Sequence, residues 1–316
     1  MTEKLQKVLA RAGYGSRRLM ETWIEQGRVS VNKVTAKLGD RVGENDLIAL
    51  DGRLIPKRLL DATQKTLLYH KNVGTVCSRS DPEGRSTIFE DMPKISGGRW
   101  ISVGRLDIST SGLLIMTSDG ELANRLMHPS YELEREYLVR VLGSVSPATI
   151  NQLLAGVDLD DGPANFDSIV DMGGEGANHW YRVVVKEGRN REVRRLWESQ
   201  GVVVSRLTRI RFGPVELPRS LARGQTVQMP DKLLADLYRV VGLKPPGELY
   251  EPEIRKSLGG QRVKAGVKQK RVKSQSVKTS SRSQSKPKKA SDSKAQTGSK
   301  RSSGPKGPIA RTRRKD

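Results

Sequence analysis

Hydrophobic positions at the start of the chain recur at the spacing of an α-helix. Leu5, Val8, Leu9 and Ala12 stand at i, i+3, i+4 and i+7, so they form one apolar stripe along a helix. Gly13 follows directly, and glycine commonly ends a helix. The first element is therefore predicted as a short amphipathic helix whose other side carries basic residues.

A second helix is predicted after a short turn. Ser16 can cap it, because a serine hydroxyl at this position accepts a hydrogen bond from a free backbone N–H. Leu19, Trp23 and Ile24 are the expected inward side chains. Residues 28–32 then have the pattern of a short strand.

The pattern changes after residue 60 to short β-type runs separated by a few helices. Residues 66–71 predict an apolar strand, and residues 146–155 predict a helix. Ile150, Leu153 and Leu154 are the expected inward positions of that helix. The mixture favours an α+β fold with a mixed, mostly antiparallel sheet.

One polar turn interrupts an apolar segment at a place where chemistry is often found. Residues 100–106 and 113–117 predict two strands, a helix starts near Glu121, and Asp107 opens the turn between the strands. An aspartate in such a turn more often bonds its own backbone. A loop at a strand end can also present a side chain to a cleft.

Two later segments carry candidate functional residues. Period-2 alternation places Arg135, Tyr137, Val139 and Val141 on one face of a strand. A half-buried core position is the ordinary role of such a tyrosine.

Further along, Asn190 can cap a helix that turns Val193, Leu196 and Trp197 inward. Arg194 lies in that helix, where most arginines are simply solvated. The strand after it has two predicted faces. One face carries Leu207, Arg209 and Arg211, and the other carries Thr208, Ile210 and Phe212. The first face either lines a channel or belongs to a plain edge strand with solvated arginines.

Charge is distributed very unevenly along the 316 residues. The chain holds 57 Lys and Arg against 35 Asp and Glu, a formal net charge of +22. Residues 255–316 contain 21 of the bases and 2 of the acids, which leaves 36 bases and 33 acids in residues 1–254. A Ser/Lys/Arg/Gly-rich stretch with few apolar residues cannot bury enough surface to fold, so residues 251–316 are predicted to be a disordered basic tail.

The cysteine count, the apolar runs and the first residues of the chain indicate the cellular compartment and the kind of partner. Cys77 is the one cysteine of the chain, which permits no intramolecular disulfide, and no run of about 18 apolar residues could span a membrane. The opening residues do not resemble a secretory signal. We therefore expect a cytoplasmic protein. The excess of bases favours a polyanionic partner such as nucleic acid or an anionic membrane surface, and of the two we expect nucleic acid and no membrane partner.

The order of the first elements, with the strings GYGSRRL, GRVSVN and ENDLIALDG, resembles the S4 RNA-binding module. The resemblance covers about residues 2–60 and predicts a domain over residues 1–60. It implies contacts with the phosphates of structured RNA, which position a protein without reading sequence. The bases implied are Lys7, Arg11, Arg17, Arg18 and Arg28.

The string GRLDISTSGLLIMTSDG resembles the active-site motif of pseudouridine synthases of the small-subunit/large-subunit ribosomal RNA branch. The resemblance implies a catalytic domain over residues 64–250 with Asp107 as the catalytic carboxylate. It implies that Tyr137 stacks on the uracil and that Arg194 pairs with the carboxylate. Arg105, Arg135 and, by its place on the last strand, Arg209 are further expected RNA contacts. The chain departs from the wider superfamily at Arg191 and Glu192, where His-Gln is frequent, so no role is carried over to these two.

The resemblance implies an isomerase that needs neither cofactor nor metal, because pseudouridine formation gains and loses no atoms. SDPEGR, GGEGANHWY and EGRNREVRRLWE, with the S4 module and the tail, are most similar to the B-type subgroup acting on 23S ribosomal RNA. The expected partner is 23S RNA or a large-subunit assembly intermediate, bound by a monomer. The alternatives are a 16S RNA enzyme and a non-catalytic assembly factor. Retention of Asp107, Tyr137 and Arg194 together argues against the last.

Overall fold

A computed structural model describes residues 2–60 and 63–246. The predicted tail, residues 251–316, lies outside the described residues, and so do the last positions of the predicted catalytic domain. Among the described helices none is long and apolar enough to cross a bilayer.

The first part of the chain is a small α+β module with its own apolar core. Two helices pack against a sheet of order β3-β2-β5-β6, while β1 pairs with β4. Its elements are β1 (Glu3–Lys4), α1 (Leu5–Arg11), α2 (Arg17–Glu25), β2 (Val29–Val31), β3 (Val34–Thr35), β4 (Arg41–Val42), β5 (Ile48–Leu50), β6 (Arg53–Leu54) and α3 (Lys57–Leu60).

The predicted helix pair is confirmed, with one inward position corrected. The Ser16 hydroxyl caps α2 by accepting a hydrogen bond from the backbone N–H of Leu19 at 3.0 Å. Leu19 itself, expected inside, is 41% exposed, and Met20 is fully buried in its place. Ile24 is buried as predicted. The buried stripe of α2 therefore contains Met20 and Ile24, with Trp23 partly buried, and Leu19 lies outside it.

The second part follows α3 and is built on one large sheet. Its elements are β7 (Thr66–Lys71), β8 (Ile101–Ser102), β9 (Thr110–Thr117), α4 (Gly120–Met127), a 3₁₀ turn (Pro129–Tyr131), β10 (Arg135–Leu142), α5 (Pro147–Ala155), β11 (Val157–Leu159), β12 (Gly162–Ala164), β13 (Ser168–Glu175), β14 (Asn178–Val185), α6 (Glu192–Glu198), β15 (Val204–Phe212), β16 (Val215–Glu216), β17 (Thr226–Gln228) and α7 (Asp231–Val240).

The large sheet is mixed but mostly antiparallel, as predicted. Its order is β13-β14-β10-β15-β9-β7-β17, with β16 attached to β15 and β8 attached to β9. The pair β9–β15 is parallel. Apolar side chains cover both faces at the centre of the sheet, since Leu114 and Met116 join one core cluster while Leu113 and Ile115 join the other.

Strand β7 has the predicted bounds, whereas the strands around Asp107 do not. The first is short, because β8 covers only Ile101–Ser102 of the predicted residues 100–106. The second begins at Thr110 instead of residue 113, because Thr110 pairs with Leu207 across the parallel junction. Asp107 therefore stands only three residues before a fully buried strand.

The predicted orientation of two further side chains, Leu154 and Phe212, was wrong. In α5, Leu153 is fully buried, but Leu154 is 37% exposed. In β15, Phe212 faces the same cleft as Leu207 and Arg209, although alternation puts it on the other side. The pairing with β10 shifts register between Glu136 and Tyr137. A β-bulge of this kind inserts one residue and breaks the period-2 pattern.

Gly112 makes the close approach of β9 to β15 possible. Its φ is +110°, and an added Cβ would stand 2.2 Å from the carbonyl oxygen of Arg209. The two backbones pair directly at this point, since Gly112 faces Arg209 in the parallel register. A side chain at this position would force the strands apart.

We expect Gly112→Ala to destabilise the protein strongly. The unfavourable φ alone costs about 1–3 kcal/mol, and the overlap with Arg209 adds to that. Gly143→Ala is the matched control, because Gly143 also has a positive φ of +75° but nothing within 4 Å of an added Cβ. Urea denaturation measures both, and equal losses of stability would contradict the proposed overlap.

Candidate active site

A broad cleft opens beside the turn that precedes β9. Its volume is about 1430 Å³, larger than the ~300–1,000 Å³ typical of small-molecule sites. The cleft therefore has room for part of a polymer. Five of the residues predicted from the sequence line it, namely Arg105, Asp107, Arg135, Tyr137 and Arg209.

The carboxylate of Asp107 is unpaired in this cleft. The side chain is partly exposed, and among the described residues neither carboxylate oxygen has a hydrogen-bond or ion-pair partner. The backbone, in contrast, is held firmly, because the Asp107 carbonyl accepts from the N–H of Thr110 at 3.0 Å. The turn is thus closed on itself, and the carboxylate is left free for a ligand.

A buried lysine supports this turn from beneath. Lys71, the last residue of β7, has no exposed surface, and its Nζ donates to three carbonyl oxygens: those of Asn72 at 2.8 Å, Asp107 at 3.1 Å and Thr110 at 3.0 Å. Burial lowers the pKa of the Lys71 ammonium, while the nearby Cys77 and Asp107 act in the opposite direction. The ammonium therefore fixes the backbone that carries the carboxylate.

Lys71 did not emerge from the sequence reasoning, although a signal existed. Leu67, Tyr69 and Lys71 alternate along one strand, so period 2 places the lysine on the same face as two buried apolar residues. A charge on such a face requires buried acceptors.

Arg194 lies behind the turn instead of beside the carboxylate. It is buried, and its guanidinium donates to the carbonyls of Val204 at 2.9 Å and Ser109 at 3.0 Å. No ion pair within 4.0 Å joins it to Asp107, so the predicted direct pair is not formed. Burial lowers the pKa of Arg194, and the charge of Asp107 partly compensates. Ser109 belongs to the turn, so Arg194 holds Asp107 indirectly.

Tyr137 forms part of the cleft wall, with a cationic group beside it. It is 9% exposed on β10, and among the described residues its hydroxyl makes no hydrogen bond. Arg135 donates to the carbonyls of Leu133 and Lys186 and lies over the ring of Phe212 at 5.2 Å. Burial lowers the pKa of Arg135, whereas Tyr137 raises it.

The predicted RNA contacts Arg209 and Arg105 have different settings. Arg209 is only 2% exposed, and its Nε donates to the carbonyl of Leu113 at 2.8 Å. It is therefore part of the cleft floor, which agrees with the channel-lining alternative and not with a plain edge strand. Arg105 is exposed at the cleft, as expected of a residue that meets a ligand first.

A buried carboxyl group, Glu192, also lines the cleft and was not predicted as a site residue. It is 5% exposed, and its Oε2 has no hydrogen-bond partner among the described residues. Burial raises the pKa of Glu192 to about 7, and the charge of Glu187 contributes in the same direction. The helix α6 begins here after Arg191 in a left-handed conformation at φ +50°, so the predicted cap by Asn190 is wrong.

The predicted bases of the first module lie outside the cleft, and three of the five are paired with acids. Lys7 contacts Glu3 and Glu121 at 3.2 and 3.5 Å. Arg11 and Arg28 make closer pairs, with Glu3 at 2.5 Å and with Asp51 at 2.6 Å. Arg17 and Arg18 are exposed and have no such pair within the described part of the chain.

Comparisons with known proteins give a consistent result. A model of the RNA pseudouridylate synthase family matches residues 65–199, and a model of the S4 domain matches residues 3–48. A crystal structure of a pseudouridylate synthase is similar in fold, with a TM-score of 0.52 and 24% identity over 75% of this chain and 99% of that chain.

Proteins named ribosomal large subunit pseudouridine synthase B are similar over much of the sequence. The Pseudomonas aeruginosa protein is 59% identical over 245 residues, which are 77% of this chain and 64% of that protein. The Vibrio vulnificus protein is 48% identical over 313 residues, 96% of this chain and 98% of that protein. The Escherichia coli K12 protein is 59% identical over 227 residues, 71% and 78% of the two chains.

We expect Lys71→Met to loosen the turn that carries Asp107. Three carbonyls would lose the ammonium that links them, although those of Asp107 and Asn72 keep one other donor each. A buried group left unsatisfied costs about 1–3 kcal/mol. The amide hydrogen of Thr110 should then exchange faster with solvent, and the protein should unfold at lower urea. Lys65→Met is the matched control, because the Lys65 side chain is exposed directly before the opposite end of β7. Similar exchange and stability in the two variants would refute the supporting role of Lys71.

We expect Glu192→Gln to stabilise the protein in a pH-dependent manner. The folded-state pKa of Glu192 lies at about 7, above its ordinary value of 4.5. The favourable contribution of the protonated acid is therefore fully present below pH 4.5 and is lost as the pH rises through 7. The neutral amide does not ionise and does not undergo that loss. The gain in free energy of unfolding from Glu192→Gln should therefore be larger at pH 8.5 than at pH 5.5 by roughly 1 to 3 kcal/mol.

Urea denaturation of both proteins at the two pH values measures this difference. Glu175→Gln, at an exposed hairpin position, is the control and should give no pH-dependent gain. A gain from Glu192→Gln that is equal at both pH values would contradict the burial of an ionised carboxylate.

Proposed function

The chain belongs to the family of RNA pseudouridylate synthases, and we propose that it isomerises a uridine to pseudouridine in the 23S ribosomal RNA of the large subunit. The single observation that carries the reaction is the unpaired carboxylate of Asp107, which lines the same polymer-sized cleft as Tyr137. The large-subunit substrate rests on the names of relatives that are 48% and 59% identical to this chain.

The reaction explains why a free carboxylate is needed. The N1–C1′ bond of uridine breaks, the base turns, C5 bonds to C1′, the proton on C5 leaves and N1 gains a proton. No atom is gained or lost overall, so no redox carrier or metal is required. A carboxylate activates the sugar either by attacking C1′ or by removing the C2′ proton, and both routes need it ionised and within reach of the ribose.

The surrounding groups have distinct roles in this proposal. Tyr137 offers its ring to the detached uracil, and its unbonded hydroxyl is available near the proton that C5 loses. Arg135 and Arg105 supply positive charge for the RNA backbone on either side of the extruded nucleotide. Lys71 and Arg194 hold the backbone of the turn, so they are positioning residues that act through Asp107.

Flipping a base out of its stack costs a few kcal/mol, and the walls of the cleft offset that cost. Leu106, Val193 and Leu207 are buried and line the cleft, so they give the uracil an apolar surface. The same cleft is lined by cationic groups, among them the exposed Arg105 and the buried Arg209. Apolar walls combined with cationic groups suit a neutral base attached to an anionic backbone.

The rivals from the sequence differ in substrate or in chemistry. The relatives' names favour the large subunit over 16S RNA. A non-catalytic assembly factor has no need of a closed turn that leaves its carboxylate unpaired. The monomeric state, the cytoplasmic location, the domain boundaries and the choice between free RNA and an assembly particle stay predictions.

We expect Asp107→Asn to abolish isomerisation while RNA affinity stays within about three-fold, because the amide has the same shape but is not a nucleophile or a base. Unmodified large-subunit RNA is incubated with each protein, pseudouridine is mapped by carbodiimide primer extension, and affinity is measured by filter binding. Asp158→Asn is the matched control, since Asp158 is exposed on β11 outside the cleft. Pseudouridine formed by Asp107→Asn at the wild-type rate would refute the assignment.

A further inference from the structure

Three arginines lie close enough for their charges to interact, near the place where the S4 module touches the catalytic part of the chain. We call Arg17, Arg79 and Arg99 the arginine cluster. Arg79 and Arg99 line the cleft. Arg17 comes from α2 of the S4 module, and its Nη2 would lie 3.7 Å from a Cβ added to Gly120 at the start of α4. The cluster therefore draws on both parts of the protein.

The junction beside the cluster is tightly packed. A Cβ added to Gly13, in the turn between α1 and α2, would stand 2.8 Å from the carbonyl oxygen of Gly98. Gly98 directly precedes Arg99 in the chain. Lys7 in α1 also contacts Glu121 in α4 at 3.5 Å. These contacts hold the segment before α2, which carries Arg17, against the segment that leads into Arg99.

The positive charges of the arginine cluster are not neutralised within the described residues. None of the three guanidinium groups has a carboxylate within 4.0 Å. The Nε of Arg99 is buried without a hydrogen-bond partner. Burial lowers the pKa of Arg99, and the charges of Arg79 and Arg17 lower it further. Three like charges held together in this way are unfavourable until an anion joins them.

Arg79 is already held in place before any ligand arrives. Its guanidinium donates to the carbonyl of Trp100 and lies over the ring of Phe89, 4.3 Å from the centroid. Trp100 is in turn fixed by a hydrogen bond from its indole nitrogen to the carbonyl of Pro93 at 2.7 Å. A preorganised guanidinium loses little entropy on binding an anion.

We propose that the arginine cluster binds a backbone phosphate of the RNA, on the strand that passes from the S4 module to the cleft. The proposal rests on the proposed function, because it names a contact of the same substrate. A phosphodiester group carries one negative charge and two free oxygens, which match guanidinium donors approaching from two sides. The S4 module would thereby set the register of the RNA relative to Asp107.

The first test is the salt dependence of binding. Unmodified large-subunit RNA is titrated with wild type, Arg79→Gln, Arg99→Gln and Arg17→Gln between low and moderate salt. Loss of one phosphate contact should reduce the slope of log affinity against log salt by about 0.7 to 0.9 and weaken binding about ten-fold, on the order expected for a charged hydrogen bond. Arg223→Gln removes an exposed charge outside the cleft and should change neither quantity.

The second test asks whether one phosphate is shared between the two parts of the protein. Arg17→Gln and Arg99→Gln should be clearly less than additive in the double variant, because each removes a donor from the same group. Arg18→Gln is the matched control, since Arg18 is also exposed and adjacent in α2. Its effect should add to that of Arg99→Gln.

Arg99→Lys separates charge from shape, because lysine keeps the charge but lacks the planar donor array. We expect the wild-type salt slope with weakened affinity. If millimolar inorganic phosphate occupies the arginine cluster while the variants bind RNA with unchanged affinity, the cluster is a site for a free anion. That result would overturn the RNA contact. Wild-type slopes and affinities in folded Arg79→Gln and Arg99→Gln would also overturn it.

The two proposals fail separately. If Asp107→Asn is inactive and the arginine variants bind normally, only the arginine cluster is wrongly assigned. If Asp107→Asn stays active and the arginine variants show the reduced slope of log affinity against log salt, the phosphate contact stands and the catalytic assignment is wrong.

Discussion

A single buried ammonium group determines where the carboxylate of Asp107 stands. The Nζ of Lys71 donates to carbonyls on both sides of a tight turn, and one of them belongs to Asp107 itself. Because the backbone is held in this way, the Asp107 side chain needs no partner of its own. Most carboxylates near a protein's centre are paired with a base, and a paired carboxylate would have to break that pair before it could reach a ribose. Burial of the Lys71 charge is unfavourable, but the hydrogen bonds that it makes leave the Asp107 carboxylate without a partner.

The rest of the site is assembled around that turn from distant parts of the chain. Gly112 lets β9 pair in parallel with β15, which places Leu207 and Arg209 in the cleft next to the turn. The helix α6 lies on the other side, where Arg194 reaches the carbonyl of Ser109. The turn is therefore held by three elements through its backbone alone. The position of the Asp107 carboxylate therefore depends on hydrogen bonds to the backbone of the turn and not on direct contact with the carboxylate.

The sequence was informative where local chemistry dominates and poor where tertiary contacts decide. The bounds of β7, the cap by Ser16 and the inward side of Tyr137 follow from period and capping, which are properties of a few neighbouring residues. The pair between Asp107 and Arg194 was wrong, because carbonyls that become available only in the fold compete for the guanidinium. The position of Phe212 depends on a β-bulge, which an alternating pattern does not reveal.

The distribution of paired and unpaired bases changes how the S4 module should be viewed. Lys7, Arg11 and Arg28 are engaged with acids in the free protein, so a phosphate that contacts them must first compete with a carboxylate. Arg17 and Arg99 have no such competitor. The net gain from neutralising a phosphate is therefore larger at the junction than on the outer face of α1. In the proposed RNA complex, this difference would favour binding close to the cleft, and the S4 module would form one side of the RNA-binding surface.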